Sequence, residues 1–126
     1  MSGWLWPDST ITAVIDGDTI NARLTRDIGF GGTTTFVVRL RLNRINAHAK
    51  NTPAGRMARE FLEPLIGHPM LIETRKPYKY GGPGTSPGAW MAEVTTSEGI
   101  NLSDWLVLLD LAIPWDGTGV RPEPAT

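Results

Sequence analysis

Few residues in this chain could do chemistry, and they are unevenly spread. Asp16 and Asp18 flank one glycine between two apolar runs. Arg39 and Arg41 alternate along a third apolar stretch, with Arg44 close behind. His48 and His68 are the two histidines. Carboxylate oxygens can hold a hard cation, guanidinium groups can meet an anion bidentately, and a histidine can act as a base near neutral pH. Each also has a plainer reading. Asp-Gly is a common hairpin turn pair, so Asp16-Gly17-Asp18 can be kept for its turn alone. A loop histidine usually faces water. Arg39, Arg44, Arg75 and Lys79 read first as solvated surface charges. The chain has no cysteine, which excludes a disulfide framework and any Cys-based zinc or redox site.

The elements that must position these groups follow from periodicity. Residues 10–14 (TITAV) and 19–25 (TINARLT) read as a hairpin around the Asp-Gly turn. Residues 26–33 read as a Gly-rich connection. The longest strand candidate runs from 34 to 45; Val38, Leu40 and Leu42 share one face, Val37, Arg39 and Arg41 the other. An irregular loop over 46–51 leads to Thr52-Pro53, an N-cap followed by proline at the first helical position. That helix is expected to reach 65 or 66, with Met57, Ala58, Phe61, Leu62 and Leu65 as its apolar stripe and Gly67 as its stop. Residues 70–74 and 89–95 are two further strands, separated by a Gly- and Pro-rich loop. Asn101 caps a second helix over 102–109, with Asp104 placed as in a capping box. Leu102, Trp105, Leu106 and Leu109 are its expected buried face, and Trp90 is also read as core.

The resulting order is β-β-β-α-β-β-α, mainly β with two packed helices. Five strands with a helix between the third and fourth match a five-stranded OB-fold barrel. The expected layout is an N-terminal arm over 1–9, the barrel domain over 10–116 and a Pro-rich C-terminal tail over 117–126. The 126 residues suit one domain, and 40% hydrophobic content suffices for a core. The formal net charge is -1, from 12 Lys+Arg and 13 Asp+Glu. Proteins that grip phosphates usually carry a basic excess, because counterion release drives the binding; this balance points to weak nucleic-acid affinity at most. No apolar run is long enough for a membrane span. The first seven residues lack a basic n-region and a long h-region, so no signal peptide is expected. Trp4 and Trp6 are expected to pack on something.

The segment Val14-Ile15-Asp16-Gly17-Asp18-Thr19-Ile20 resembles the hairpin signature of the thermonuclease-like (staphylococcal nuclease-like) family. The resemblance continues through Val38-Arg39-Leu40-Arg41-Leu42, Asn51-Thr52-Pro53-Ala54-Gly55, Lys79-Tyr80-Gly81 and Gly99-Ile100-Asn101-Leu102. It implies a nuclease barrel. Phosphodiester hydrolysis passes through a negatively charged pentavalent state, which asks for a hard cation on oxygen ligands, a group that positions water and guanidinium donors.

Carried over by position, the resemblance implies a degenerate member. Asp18 matches the strand-two aspartate and Arg41 the third-strand arginine. The family's I-D-x-P-E motif falls on Ile45-Asn46-Ala47-His48-Ala49, so its aspartate is Asn46 and its glutamate Ala49. The K-Y-G-R motif falls on Lys79-Tyr80-Gly81-Gly82, so its arginine is Gly82. Loss of a positioned base costs on the order of 10²–10⁴ in rate, and loss of a charge-stabilising donor roughly 10²–10³. With Asp18 the one clear carboxylate and Asn46 a neutral ligand, no cofactor is expected beyond weak calcium binding.

Three functions follow as expectations. The first is a catalytically impaired nuclease fold reused as a structural or protein-binding module. Chains with the N-T-P-A-G helix entry and an ending like Ile113-Pro114-Trp115-Asp116-Gly117 resemble those encoded by tailed phages of actinobacteria, which implies a virion component of a head, neck or tail, located in the virion or host cytoplasm. Trp4, Trp6 and the loop residues Gly84, Thr85 and Ser86 are then candidate partner contacts. The second is an active metal-dependent nuclease on DNA or RNA with a rearranged site, in which His48 or another arginine substitutes. The third is a non-catalytic nucleic-acid binder, disfavoured by charge.

Overall fold

A computed structural model describes residues 4–47, 52–77 and 89–115. Five strands, β1 (Trp4–Asp16), β2 (Thr19–Gly29), β3 (Gly32–Leu42), β5 (Pro69–Pro77) and β6 (Trp90–Thr96), close a barrel in the order β1-β2-β3-β6-β5. All pairings are antiparallel except β3 with β6. This is the mainly β, OB-fold-like barrel with two helices that the sequence order implies. Inward residues recur at every second position: Ile20, Ala22 and Leu24 on β2, and Ile72 with Val94 across β5 and β6, are all buried.

Closure depends on β1, which serves two neighbours. Its first half pairs with β5, from Trp4↔Thr74 to Thr10↔Pro69. Its second half pairs with β2, from Thr10↔Arg23 to Asp16↔Thr19. The change of partner occurs at the buried Ser9, whose hydroxyl donates to the Trp6 carbonyl at 3.0 Å and accepts the Thr25 N–H at 3.2 Å. Residues 4–9, expected as an arm, are therefore part of the barrel wall.

The Gly-rich connection is also strand. β2 runs on to Gly29, β3 begins at Gly32, and Phe30-Gly31 forms a two-residue turn with positive φ at both positions, 57° and 74°. Turns of that kind match the twist of their flanking strands, and they usually place Asn or Asp where Phe30 sits. β3 ends at Leu42, short of the expected 45. After the turn at Asn43-Arg44, a three-residue strand β4 (Ile45–Ala47) pairs antiparallel with β7 (Ala112–Pro114). Neither was expected, since three residues are too few to show a period.

Helix α1 (Pro53–Leu62) starts as expected, with the Thr52 hydroxyl accepting the Gly55 N–H at 3.1 Å. It ends at Leu62 and tightens into a 3₁₀ turn, Glu63–Leu65, because Pro64 cannot donate an α-helical bond. Ala58 and Leu62 are buried, whereas Met57 is exposed. Helix α2 (Leu102–Leu108) is capped by Asn101, which accepts the Asp104 N–H. Its buried face is Leu102, Ser103 and Leu106; Leu109 is exposed. Trp105 is half-buried and meets Phe61 of α1 edge-on, ring centroids 5.2 Å apart. Trp90, read as core, is 43% exposed at the start of β6. Among the described residues, no helix is long and apolar enough to cross a membrane.

Candidate functional site

Asp18 and Arg41, which stand far apart in sequence, meet where the β1–β2 turn faces the end of β3. Arg41 Nη1 lies 2.5 Å from Asp18 Oδ2, and both side chains are almost fully buried. The pairing follows from register: Thr19 is opposite Arg41 in the β2–β3 ladder, which places Asp18 beside the arginine. The small β4–β7 sheet then closes the site. Ala47 of β4 donates its N–H to Asp18 Oδ2 at 2.9 Å. Arg41 Nη2 donates to Asn46 Oδ1 at 2.9 Å and to the Ile45 carbonyl at 3.1 Å. Trp115, just after β7, lies over the guanidinium at 5.5 Å. Asp18 Oδ1 accepts the Thr19 hydroxyl at 3.0 Å.

Both carboxylates of the turn are perturbed. Burial opposes ionisation of Asp18. Hydrogen bonding with Asp16, the Arg41 charge and the Ala47 N–H together outweigh it and hold the carboxyl below its usual value. Asp16 moves the other way, up to about 6, first through burial and then through its hydrogen bond with Asp18 and that residue's charge.

Gly17 is fixed here by crowding. A Cβ on it would lie 2.7 Å from Ala58 Cβ and 3.0 Å from Ala47 Cβ. Its φ is not positive, so the glycine of the Asp-Gly pair is required by the close approach of α1 and β4, and not by turn conformation.

This donor set does not fit a hard divalent cation. Such an ion takes six or more oxygen ligands. Here Asp18 Oδ2 and Asn46 Oδ1 both accept from Arg41, so a guanidinium already occupies the position a cation would need. Among the described residues, no group of three or more His, Cys, Asp or Glu is placed to hold a metal ion. Arg41 is 2% exposed and is aimed inward, away from any phosphate approaching from solvent.

Of the cations considered as substitutes, the three arginines are engaged elsewhere. Arg39 Nε donates to Asn21 Oδ1 of β2 at 3.3 Å. Arg75 pairs with Glu73 at 2.8 Å. Arg44 anchors a network that the sequence did not reveal. Its Nε and Nη2 donate to the two Glu93 oxygens at 2.7 and 2.9 Å, and its Nη1 donates to Asp104 Oδ1 at 2.9 Å. Asn43 and Asn101 also donate to Glu93, at 2.8 and 2.9 Å. Asp104 thus serves Arg44 in place of the expected capping box. The network joins the β3–β4 turn to β6 and α2 while Arg44 itself holds a left-handed backbone, φ 68°. Burial opposes ionisation of Glu93, but its three donors hold the carboxyl below the usual range. Arg44 is pushed up by its bonds to Glu93, against burial.

Of the remaining candidate positions, His48, Ala49, Lys79, Gly82, Gly84, Thr85 and Ser86 lie outside the described residues, as does the tail. His68 is exposed beyond the 3₁₀ turn. Trp6 packs against the core and donates Nε1 to Thr74 Oγ1 at 3.2 Å, whereas Trp4 is exposed. No protein-family model and no curated protein matches the chain.

Proposed function

We propose that this chain is a nuclease-like barrel that no longer cleaves phosphodiesters and works as a structural or protein-binding module, with a phage virion (head, neck or tail) as its setting. The observation that carries this reading is the closed Asp18–Arg41 pair. The two residues that match the family's surviving catalytic positions neutralise one another under Trp115. Asp18 Oδ2 is taken by Arg41 and the Ala47 N–H, Oδ1 accepts the Thr19 hydroxyl, and the buried guanidinium is not offered to an anion. Asn46, Ala49 and Gly82 remove the remaining groups from the positions where metal, water and transition-state charge would be handled. Calcium binding is accordingly weak or nil. The barrel and both helices are complete among the described residues, as expected of a fold retained for its shape.

Native context tests the assignment. Antibody against the chain should detect it in a sedimenting particle, and particle disruption should release it. Recovery only as free protein, in preparations where assembled particles are present, contradicts the virion setting.

A further inference from the structure

Among the described residues, no strand covers the outer edge of β3 before Leu40. β3 pairs with β6 only over Leu40–Leu42, and no other strand among the described residues pairs with the stretch from Thr33 to Arg39 on that side. The stretch reads Thr33-Thr34-Thr35-Phe36-Val37-Val38-Arg39. Its first six residues carry no charge and no proline, and the β2–β3 ladder shows no bulge there. Strand edges are normally blunted by a charge, a proline, a bulge or a cover. Phe36 and Val37 are exposed. The hairpin ends in Phe30, fully exposed and in left-handed backbone, which is costly for a bulky residue. Two-stranded ribbons alone are marginal in water.

We infer that β3 is a self-association edge, and that a second copy of this chain pairs with it antiparallel about a two-fold axis at Phe36. The length of the free stretch sets the register, because Phe36 is its midpoint. Thr33 of one copy then faces Arg39 of the other, Thr34 faces Val38 and Thr35 faces Val37. Paired residues share a sheet face, so hydrophobic and hydroxyl side chains alternate correctly across the joint. The charges also fit. Asp27 is the β2 neighbour of Thr33. Arg39 of the second copy would stand two strands from it on the same face, about 9.6 Å between backbones, within reach of an arginine side chain. Asp27 and Arg39 sit at opposite ends of the edge, so the two-fold axis brings each to its opposite sign, twice. A two-fold interface must be self-complementary in this way. This inference does not depend on whether the Asp18 site cuts.

The ladder is short and lies at the small end of specific interfaces, so a dissociation constant of about 10–100 µM is expected. Sedimentation velocity of the full chain across about 1 µM to 1 mM should show a monomer–dimer equilibrium. Val37→Lys, at an exposed position, should weaken it at least about tenfold with an unchanged thermal melt. Asp27→Arg and Arg39→Asp should each weaken it about three- to tenfold, and the double variant should recover wild-type association. Monomer throughout the range, unaltered association in Val37→Lys, or no recovery in the double variant would each overturn the proposal.

Discussion

Arg41 and Arg44 stand three positions apart at the same end of the barrel, and the protein uses them in opposite ways. Arg41 is buried with a buried carboxylate, and every element of the site (the β1–β2 turn, β3, β4 and Trp115) converges on it. Arg44 is half-exposed and bridges one sheltered carboxylate, Glu93, and one exposed carboxylate, Asp104. A buried pair is sensitive to losing one member, because the other charge remains without water or partner. An exposed network is screened, and each of its bonds counts for less. The residue that resembles a catalytic arginine therefore acts as the fixed one, and the residue read as a surface charge joins three elements.

The largest effect should come from unpairing the buried ions. Arg41→Ala or Asp18→Ala should each cost about 3–5 kcal/mol, read from urea unfolding. The double variant should cost well under the sum, because it strands no charge. Additive losses would show that the pair is not coupled. Gly17→Ala should come next, at about 1–3 kcal/mol, as the new methyl forces Ala58 or Ala47 to move. Arg44→Ala should cost only about 1 kcal/mol and lose part of that effect in high salt. Arg44→Gly should be milder than Arg44→Ala, since glycine removes the left-handed strain, which is about 1–2 kcal/mol.

The remaining effect is a pH slope. Asp16 has a folded value of about 6 against an ordinary 3.8, so the folded state keeps its proton after the unfolded chain has released it. Stability from this group is full below the ordinary value, falls as pH rises between the two, and is flat above about 6. Asp18 and Glu93, both lowered, act at the acid end and with the opposite sign. Asp16→Asn should remove the decline in a pH series of unfolding midpoints. An unchanged slope would assign it to another group.

The barrel was legible because its signals are local. Alternation marks β2 and β3, and Thr52-Pro53 and Asn101 mark the two helix entries. The extent of β1 was not, because Pro7 and Asp8 break its alternation while Trp4 to Trp6 still pair with β5. Asp18, Arg41 and Asn46 stood out in the sequence as candidates, but their closed arrangement did not. That state depends on strand register and on β4 and β7, each of three residues, which bring Asn46, Ala47 and Trp115 to the arginine. The Arg44 network draws on three elements with no common period. The exposure of Met57, Trp90 and Leu109 has a similar cause: the period identifies an apolar face, but neighbouring elements decide how much of it is covered.

Digestion of supercoiled plasmid, run with calcium and with manganese, reads out whether the Asp18–Arg41 pair can cut. No cleavage above that of the Asp18→Ala and Arg41→Ala variants is expected with either ion. Robust metal-dependent cleavage by the wild-type chain, abolished in both variants, would contradict this expectation and show that the buried pair opens to work as a catalytic site.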